Sequence, residues 1–245
     1  MRLLELFSGT GSVGKVARKK GYEVISLDLK NADINKNILD WDYKVYDNNY
    51  FDLIWASPPC DKFSNCRNCN IGRRLKNGII LTKEILENEI ETIGLPILRK
   101  TEEIIDYFNP KYYYIENPQT GRMKDYIDKP FYDVDYCKYS NWGYRKRTRI
   151  WTNFPDFIPK ICKCDCGNLI PGTKLHTQSI GGGKVVLDNG KVKRIRHKHT
   201  REKYKDYKNI QVYVKGGGNN KDERYRIPPK LIDELIPDLT YKNKV

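Results

Sequence analysis

Short apolar runs alternate along the first 150 residues with longer stretches in which apolar side chains recur every three to four positions. The two periods separate strands from helices. Residues 2–7 are mostly apolar and predict a strand. The glycine-containing turn at 8–14 follows, and from it a helix over 12–20 starts, ended by Gly21. A second strand is predicted at 23–27, closed by Asp28. Residues 51–56 are a third apolar run, and Ser57-Pro58-Pro59 breaks it, because proline cannot continue a central strand. Residues 80–108 have a helical pattern, with Pro96 marking a kink or a boundary. Residues 112–115 predict another strand, ended by Glu116-Asn117-Pro118. Strands alternating with helices imply an α/β fold, a mostly parallel sheet with helices on both faces.

The pattern changes after about residue 150. Residues 162–222 mix Cys, Gly, His and Lys around short β-like runs at 184–187 and 210–214, and glycine triplets at 181–183 and 216–218 predict loops. Residues 228–236 predict a closing helix with Pro229 in its first turn. The expected organisation is an α/β domain over 1–153, a small basic β-rich lobe over 154–222, and a segment over 223–245 that returns to the first domain.

Composition sharpens this picture mainly through charge. The chain of 245 residues carries 45 Lys/Arg against 31 Asp/Glu, a net charge of +14. Residues 1–137 hold 20 basic and 21 acidic side chains, whereas residues 138–245 hold 25 and 10, so the whole excess lies in the second half. A one-sided basic field interleaved with Tyr and Trp favours a polyanion, and nucleic acid is the expected partner. No run approaches the roughly 18 apolar residues of a membrane span. Residues 1–8 lack the pattern of a secretion signal, so the protein is expected in the cytoplasm or nucleus of a host cell, not secreted, and is expected to act as a monomer. A chain of this length can bury a core without a disulfide framework, and the seven cysteines are read as reduced thiols.

Four segments carry candidate chemistry. Leu4-Glu5-Leu6-Phe7-Ser8-Gly9-Thr10-Gly11-Ser12 is a strand entering a glycine turn, and Asp28 ends the next strand. Glycines allow a ligand close to the backbone, and a strand-end carboxylate suits ribose hydroxyls, so the pair suggests a nucleoside cofactor. Cys60 follows Ser57-Pro58-Pro59 on a stiffened loop just past a strand, where a nucleophile would be exposed. Glu116, also at a strand end, offers an acid or hydrogen-bond partner. Arg145, Arg147 and Arg149 alternate on one face of a strand and can clamp phosphate or orient a carboxylate.

Together these segments resemble the DNA (cytosine-5) methyltransferase family. FSGTGS looks like its cofactor loop, SPPCDKFS its nucleophile loop, IENP its E-N-V segment and RKRTRIW its Q-x-R-x-R segment, and RYRIPPKLIDEL looks like the segment after its target-recognition region. The resemblance covers about residues 1–152 and 224–236, and its motifs fit a short viral or phage form. It departs at Ser12, at Pro118 and at Arg145, where the family has Gly, Val and Gln.

The resemblance implies a Rossmann-like sheet that uses S-adenosylmethionine, with a small basic target-recognition lobe. Phe7, Ser8, Gly9, Thr10, Gly11 and Pro58 would meet the cofactor, with Asp28 on its ribose and Asp40 near its adenine. Cys60 would attack C6 of a cytosine flipped out of duplex DNA, and Glu116 would hold the N3/N4 edge. Arg147 and Arg149 would hold phosphate and the catalytic carboxylate. Ser64, Arg145, Lys193, Arg194 and Arg196 would contact DNA. An RNA cytosine-5 methyltransferase and a catalytically silent DNA-binding homologue are the alternatives. The lobe's cysteines suit either free thiols with no metal, or zinc held by Cys162, Cys164, Cys166 and His176. Cys137 is read as core.

Overall fold

The computed structural model describes residues 1–75, 77–179, 183–187, 192–195, 210–216, 223 and 225–239. Seven strands form the main sheet: β1 (Arg2–Leu6), β2 (Glu23–Asp28), β3 (Ile34–Asn35), β4 (Leu53–Ala56), β5 (Tyr112–Pro118), β6 (Phe131–Asp135) and β7 (Arg147–Thr152). Their spatial order is β3-β2-β1-β4-β5-β7-β6. The first five are parallel, and β7 runs antiparallel between β5 and β6. Connections that go first one way and then the other from β1 make a doubly wound α/β sheet, which opens its ligand crevice at the carboxyl ends of the strands near the reversal.

The apolar runs are buried on both faces, which is why they read as nearly continuous. Leu4, Leu6, Ile54 and Ala56 face one layer of core with Leu98, Ile104, Ile105 and Phe108 of α3 (Leu95–Phe108). Leu3, Leu53, Trp55 and Tyr114 face the other, with Val13 and Ala17 of α1 (Ser12–Lys19) and Leu231, Ile232 and Leu235 of α4 (Pro229–Leu235). Fully burying each such side chain contributes about 2 kcal/mol. Polar clamps fix the closing helix here. Tyr114 Oη donates to the Leu235 carbonyl at 2.6 Å, and Lys20 Nζ donates to the carbonyls of Asp233 and Ile236 at 2.7 and 2.9 Å.

The long helical pattern is two helices joined by a π turn. α2 (Lys83–Glu89) runs into Ile90–Gly94, and α3 begins with Pro96 in its first turn. Gly94 is required at the junction, because a Cβ there would stand 2.9 Å from the ring of buried Phe63. β5 also continues past its predicted end, so Glu116 and Asn117 lie within the sheet, paired with Ile150 and Arg149 of β7. The antiparallel strand β7 supplies partners for these residues, which a local pattern does not reveal. β3 and β6 carry no clear apolar run and were not expected.

Beyond β7, β8 (Gln178–Ser179), β9 (Gly183–Leu187), β10 (Val192–Ile195) and β11 (Ile210–Gly216) form a second sheet in the order β10-β9-β11-β8. Lys193 and Arg194 lie on β10, and Arg196 falls outside the described residues.

Candidate active site

Three loops meet at the carboxyl edge of β1, β4 and β5. The first is the glycine turn after β1. Phe7, Gly9 and Gly11 all have positive φ, at 59°, 49° and 63°. The Gly9 amide donates to Asp28 Oδ2 at 2.8 Å and the Leu29 amide to Asp28 Oδ1 at 2.6 Å, so Asp28 is held beside the turn with lone pairs remaining. The Cβ positions of Gly9 and Gly11 have no neighbour closer than 3.9 Å, which leaves the turn approachable. Thr10 Oγ1 and Ser12 Oγ are 2.7 Å apart. Asp40 is exposed and ends a 3₁₀ turn, Ile38–Asp40, that is anchored by buried Ile38 and follows β3 at the same edge of the sheet.

Glu5, which the sequence did not mark, sits beneath this turn. It is 3% exposed and accepts from the Val13 and Gly14 amides at 3.2 and 3.0 Å. Burial pushes its carboxyl up to about 7 despite these bonds. The N-terminus of α1, which binds pyrophosphate in many doubly wound proteins, is already filled. The turn therefore suits a nucleoside ligand without phosphate. Beside it Thr10, Ser12, Lys15, Trp142, Arg226 and Ile227 line a cavity of about 410 Å³. The Arg226 guanidinium lies 3.8 Å from the centre of the Trp142 ring.

The second loop carries Cys60, which is half-buried. Its backbone is stitched to the third loop, after β5. Asn117 Nδ2 donates to the Pro58 carbonyl at 2.8 Å, Asn65 Nδ2 to the Thr120 carbonyl at 2.7 Å, and the Arg122 amide to the Phe63 carbonyl at 2.8 Å. Asn117 Oδ1 is buried and has no hydrogen-bond partner among the described residues. Ser64 is half-buried and precedes the 3₁₀ turn Asn65–Asn70 without a side-chain capping bond.

Glu116 is 6% exposed and accepts from Tyr136 Oη at 2.8 Å. Its ion-pair partner is Lys146, whose Nζ lies 3.6 Å away and 4.8 Å from the centre of the Tyr136 ring. This corrects the expectation that Arg147 and Arg149 hold the catalytic carboxylate. Those two face the other side of the sheet and pair across strands with β6. Arg147 reaches Asp135 at 3.1 and 2.7 Å, and Arg149 reaches Asp133 at 2.8 and 2.9 Å. The pleat decides this, because alternate residues face opposite sides, and Lys146 shares its side with Ile150 and Glu116. Arg145 is exposed and also reaches Asp135, at 3.2 Å. Lys146, Tyr136, Asp133 and Asp135 were missed. The only available signal was the even spacing of Lys146 from Ile150.

Burial pushes the Cys60 thiol above its usual range, the Glu116 carboxylate adds to this, and Lys146 opposes it. Lys146→Met is expected to move Cys60 alkylation to higher pH, and Glu116→Gln to move it to lower pH. Mass spectrometry of the Cys60 peptide across pH reads both shifts. Unchanged profiles in the two variants would disprove the electrostatic coupling.

These features define a Rossmann-like α/β enzyme with its ligand crevice at the carboxyl ends of β1, β4 and β5. No family model matches the chain. It is 43% identical over 241 residues, 96% of this chain and 99% of the relative, to a protein of Frog virus 3 (isolate Goorha) named "Probable DNA (cytosine-5)-methyltransferase". The chain belongs to the DNA (cytosine-5) methyltransferase family. Two solved methyltransferases align over smaller parts. The Entamoeba histolytica enzyme EhMeth is 14% identical with a TM-score of 0.44, covering 66% of this chain and 55% of that one. The S. pombe Dnmt2 methyltransferase is 16% identical with a TM-score of 0.40, covering 65% and 53%. Among the described residues no helix is long and apolar enough to cross a membrane.

Proposed function

We propose that the protein methylates carbon 5 of cytosine in double-stranded DNA, using S-adenosylmethionine and a covalent Cys60 adduct. The observation that carries this reading is the meeting of Cys60, Glu116 and Lys146 at one sheet edge beside the glycine turn. S-Adenosylmethionine supplies an electrophilic methyl group on a sulfonium sulfur. The chain's residues fit it. The open turn at Gly9 and Gly11 takes a nucleoside, Asp28 retains lone pairs for ribose hydroxyls, and Glu5 removes the phosphate site that a dinucleotide needs. Phe7, Ser8, Thr10 and Pro58 would line this ligand, with Asp40 toward the adenine. Lys15 and Arg226 in the adjoining cavity would meet its carboxylate.

The cytosine must leave the helix, because stacking covers its ring faces. Cys60 Sγ, as thiolate, forms a bond to C6, and a proton shared between the Glu116 carboxyl and N3, itself an acceptor, offsets the negative charge that develops on the ring. C5 becomes nucleophilic and would take the methyl group, the methyl–sulfur bond breaking as the new bond forms and the neutral thioether leaving. Loss of the C5 proton to solvent and cleavage of the Sγ–C6 bond then restore the aromatic ring and free the thiolate. In the free protein Glu116 disfavours the thiolate. A base that engages Glu116 relieves that opposition, so the nucleophile is activated where substrate is bound.

The domain over 1–153 performs this chemistry, the lobe over 154–222 reads the target, and 223–245 returns to the cofactor side. Ser64, Arg145, Lys193, Arg194 and Arg196 supply contacts to DNA. Arg147 and Arg149, paired with acids, act as positioning residues for β7. The test is transfer of labelled methyl to mixed-sequence duplex DNA, with RNA in parallel. Label in 5-methylcytosine from DNA is the expected result. Label only in RNA would replace the substrate, and no label on either polymer while cofactor still binds would point to a silent binder.

A further inference from the structure

We infer that Cys137, Cys162, Cys166 and His176 form a structural zinc site that ties the basic lobe to the edge of the catalytic sheet. The four donor atoms all lie within 4.8 Å of one another. His176 Nε2 is 3.6 Å from Cys162 Sγ and 3.3 Å from Cys166 Sγ. A tetrahedral zinc ion, with bonds of about 2.3 Å to sulfur and about 2.0 Å to nitrogen, places such atoms about 3.5 Å apart. That spacing suits one ion at the centre of the four donors. Soft thiolates with an imidazole in a closed set of four select zinc and leave no position open for a substrate.

The chain brings these donors from three places. Cys137 stands in the 3₁₀ turn Tyr136–Lys138, directly after β6. Cys162 and Cys166 open the lobe with three residues between them, a spacing found in structural zinc sites. His176 returns through a short antiparallel bridge with Leu169. Asn168 locks the arrangement. Its Nδ2 donates to the carbonyls of Cys137 and Ser140 at 2.9 and 2.8 Å, and its Oδ1 accepts from the Gly143 amide at 3.0 Å.

Cys164 is excluded from the set, and Cys137 replaces it. At Cys164 the backbone has φ of 64°, and the thiol turns toward the Lys174 carbonyl at 3.8 Å. The fourth donor comes instead from the turn after β6, where the Cys137 thiol meets the other three donors. Among the described residues, Cys137, Cys162 and Cys166 form an apolar cluster with Leu169 packed against them, so the thiols themselves are the buried contact at this junction. Three thiolates around a divalent ion leave one negative charge, and Lys138, ion-paired with Asp165 at 2.9 Å, lies beside the set. The site also reaches the catalytic sheet, because the Cys162 amide donates to Asp135 Oδ2 at 2.8 Å, on the carboxylate that holds Arg147.

The test is elemental analysis with native mass spectrometry of the full chain, expressed with zinc and purified without chelators. One zinc per chain is expected, unchanged in Cys164→Ser and lowered at least tenfold in Cys137→Ser and Cys162→Ser. His176→Cys, which keeps four soft ligands, is expected to retain the ion. Cobalt(II) exchanged into the wild-type and Cys164→Ser proteins is expected to give the thiolate charge-transfer and tetrahedral d–d bands of a sulfur-rich site, a reading that does not depend on damaging variants. Absence of stoichiometric metal, stoichiometric iron, or zinc lost from Cys164→Ser but kept by Cys137→Ser would each overturn the assignment.

Discussion

Cys60→Ser is expected to lower methyl transfer at least about a thousandfold while leaving cofactor binding unchanged. The serine hydroxyl is nearly isosteric, but it is far less acidic than the thiol and is a poor nucleophile toward C6 at neutral pH. The loop would keep its shape, since its anchors are the Asn117 bond to the Pro58 carbonyl, the burial of Phe63 and the Arg122 amide, none of which uses the thiol. Asp28 and the turn at Phe7–Gly11 are likewise untouched, so calorimetric affinity for S-adenosylmethionine should stay within about twofold. Single-turnover transfer of labelled methyl to duplex DNA measures the loss. A duplex bearing 5-fluorocytosine adds an independent readout, because fluorine at C5 cannot leave as a cation and the adduct persists. Wild type should form a denaturation-resistant complex with it, and Cys60→Ser should not. A serine variant that retained a tenth of the wild-type rate would end the covalent mechanism.

The second large effect is on stability. Asp135 is fully buried and accepts from two Arg147 nitrogens, Nε and Nη2, from Arg145 and from the Cys162 amide. Asp135→Asn puts an amide NH₂ against a guanidinium and leaves a cation short of its partner, at a cost of about 3 kcal/mol. Burial opposes the Asp135 charge, but Arg147, the Cys162 amide and Arg145 outweigh it and hold the carboxyl below the usual range. A depressed folded value contributes stability that is present above the unfolded value of 3.8 and lost as pH falls through the lower folded one. The gap between wild type and Asp135→Asn should therefore be full at neutral pH and close in strong acid. Denaturant unfolding at the two pH values checks it, and a gap independent of pH would show that the cost is steric.

Much of this was legible along the chain. The β1, β2 and β4 runs, the glycine turn, Asp28, the Cys60 loop and the closing helix were all readable, because each depends on neighbours within a few residues. Gly9 and Gly11 share one turn, Asp28 directly ends the β2 run, and Pro58 and Pro59 stiffen the Cys60 loop whatever surrounds it. The limits were also particular. Glu5 read as one polar residue in an apolar strand, and only the approach of α1 shows that it caps two amides. The alternating arginines correctly suggested one face of a strand, but not which face.

The sequence by itself determined the apolar strands and the alternation of strand and helix, the family motifs and the chemistry of the groups they carry, because hydrophobic period and turn residues act over short distances. Tertiary structure decided who pairs with whom. It set Lys146 rather than an arginine against Glu116, Asp133 and Asp135 against Arg149 and Arg147, and Cys137 in place of Cys164 beside His176. Those choices turn on β6 and β7 lying antiparallel at the sheet edge. Their register fixes which side each side chain faces, and that register arises from contacts between residues far apart in the chain.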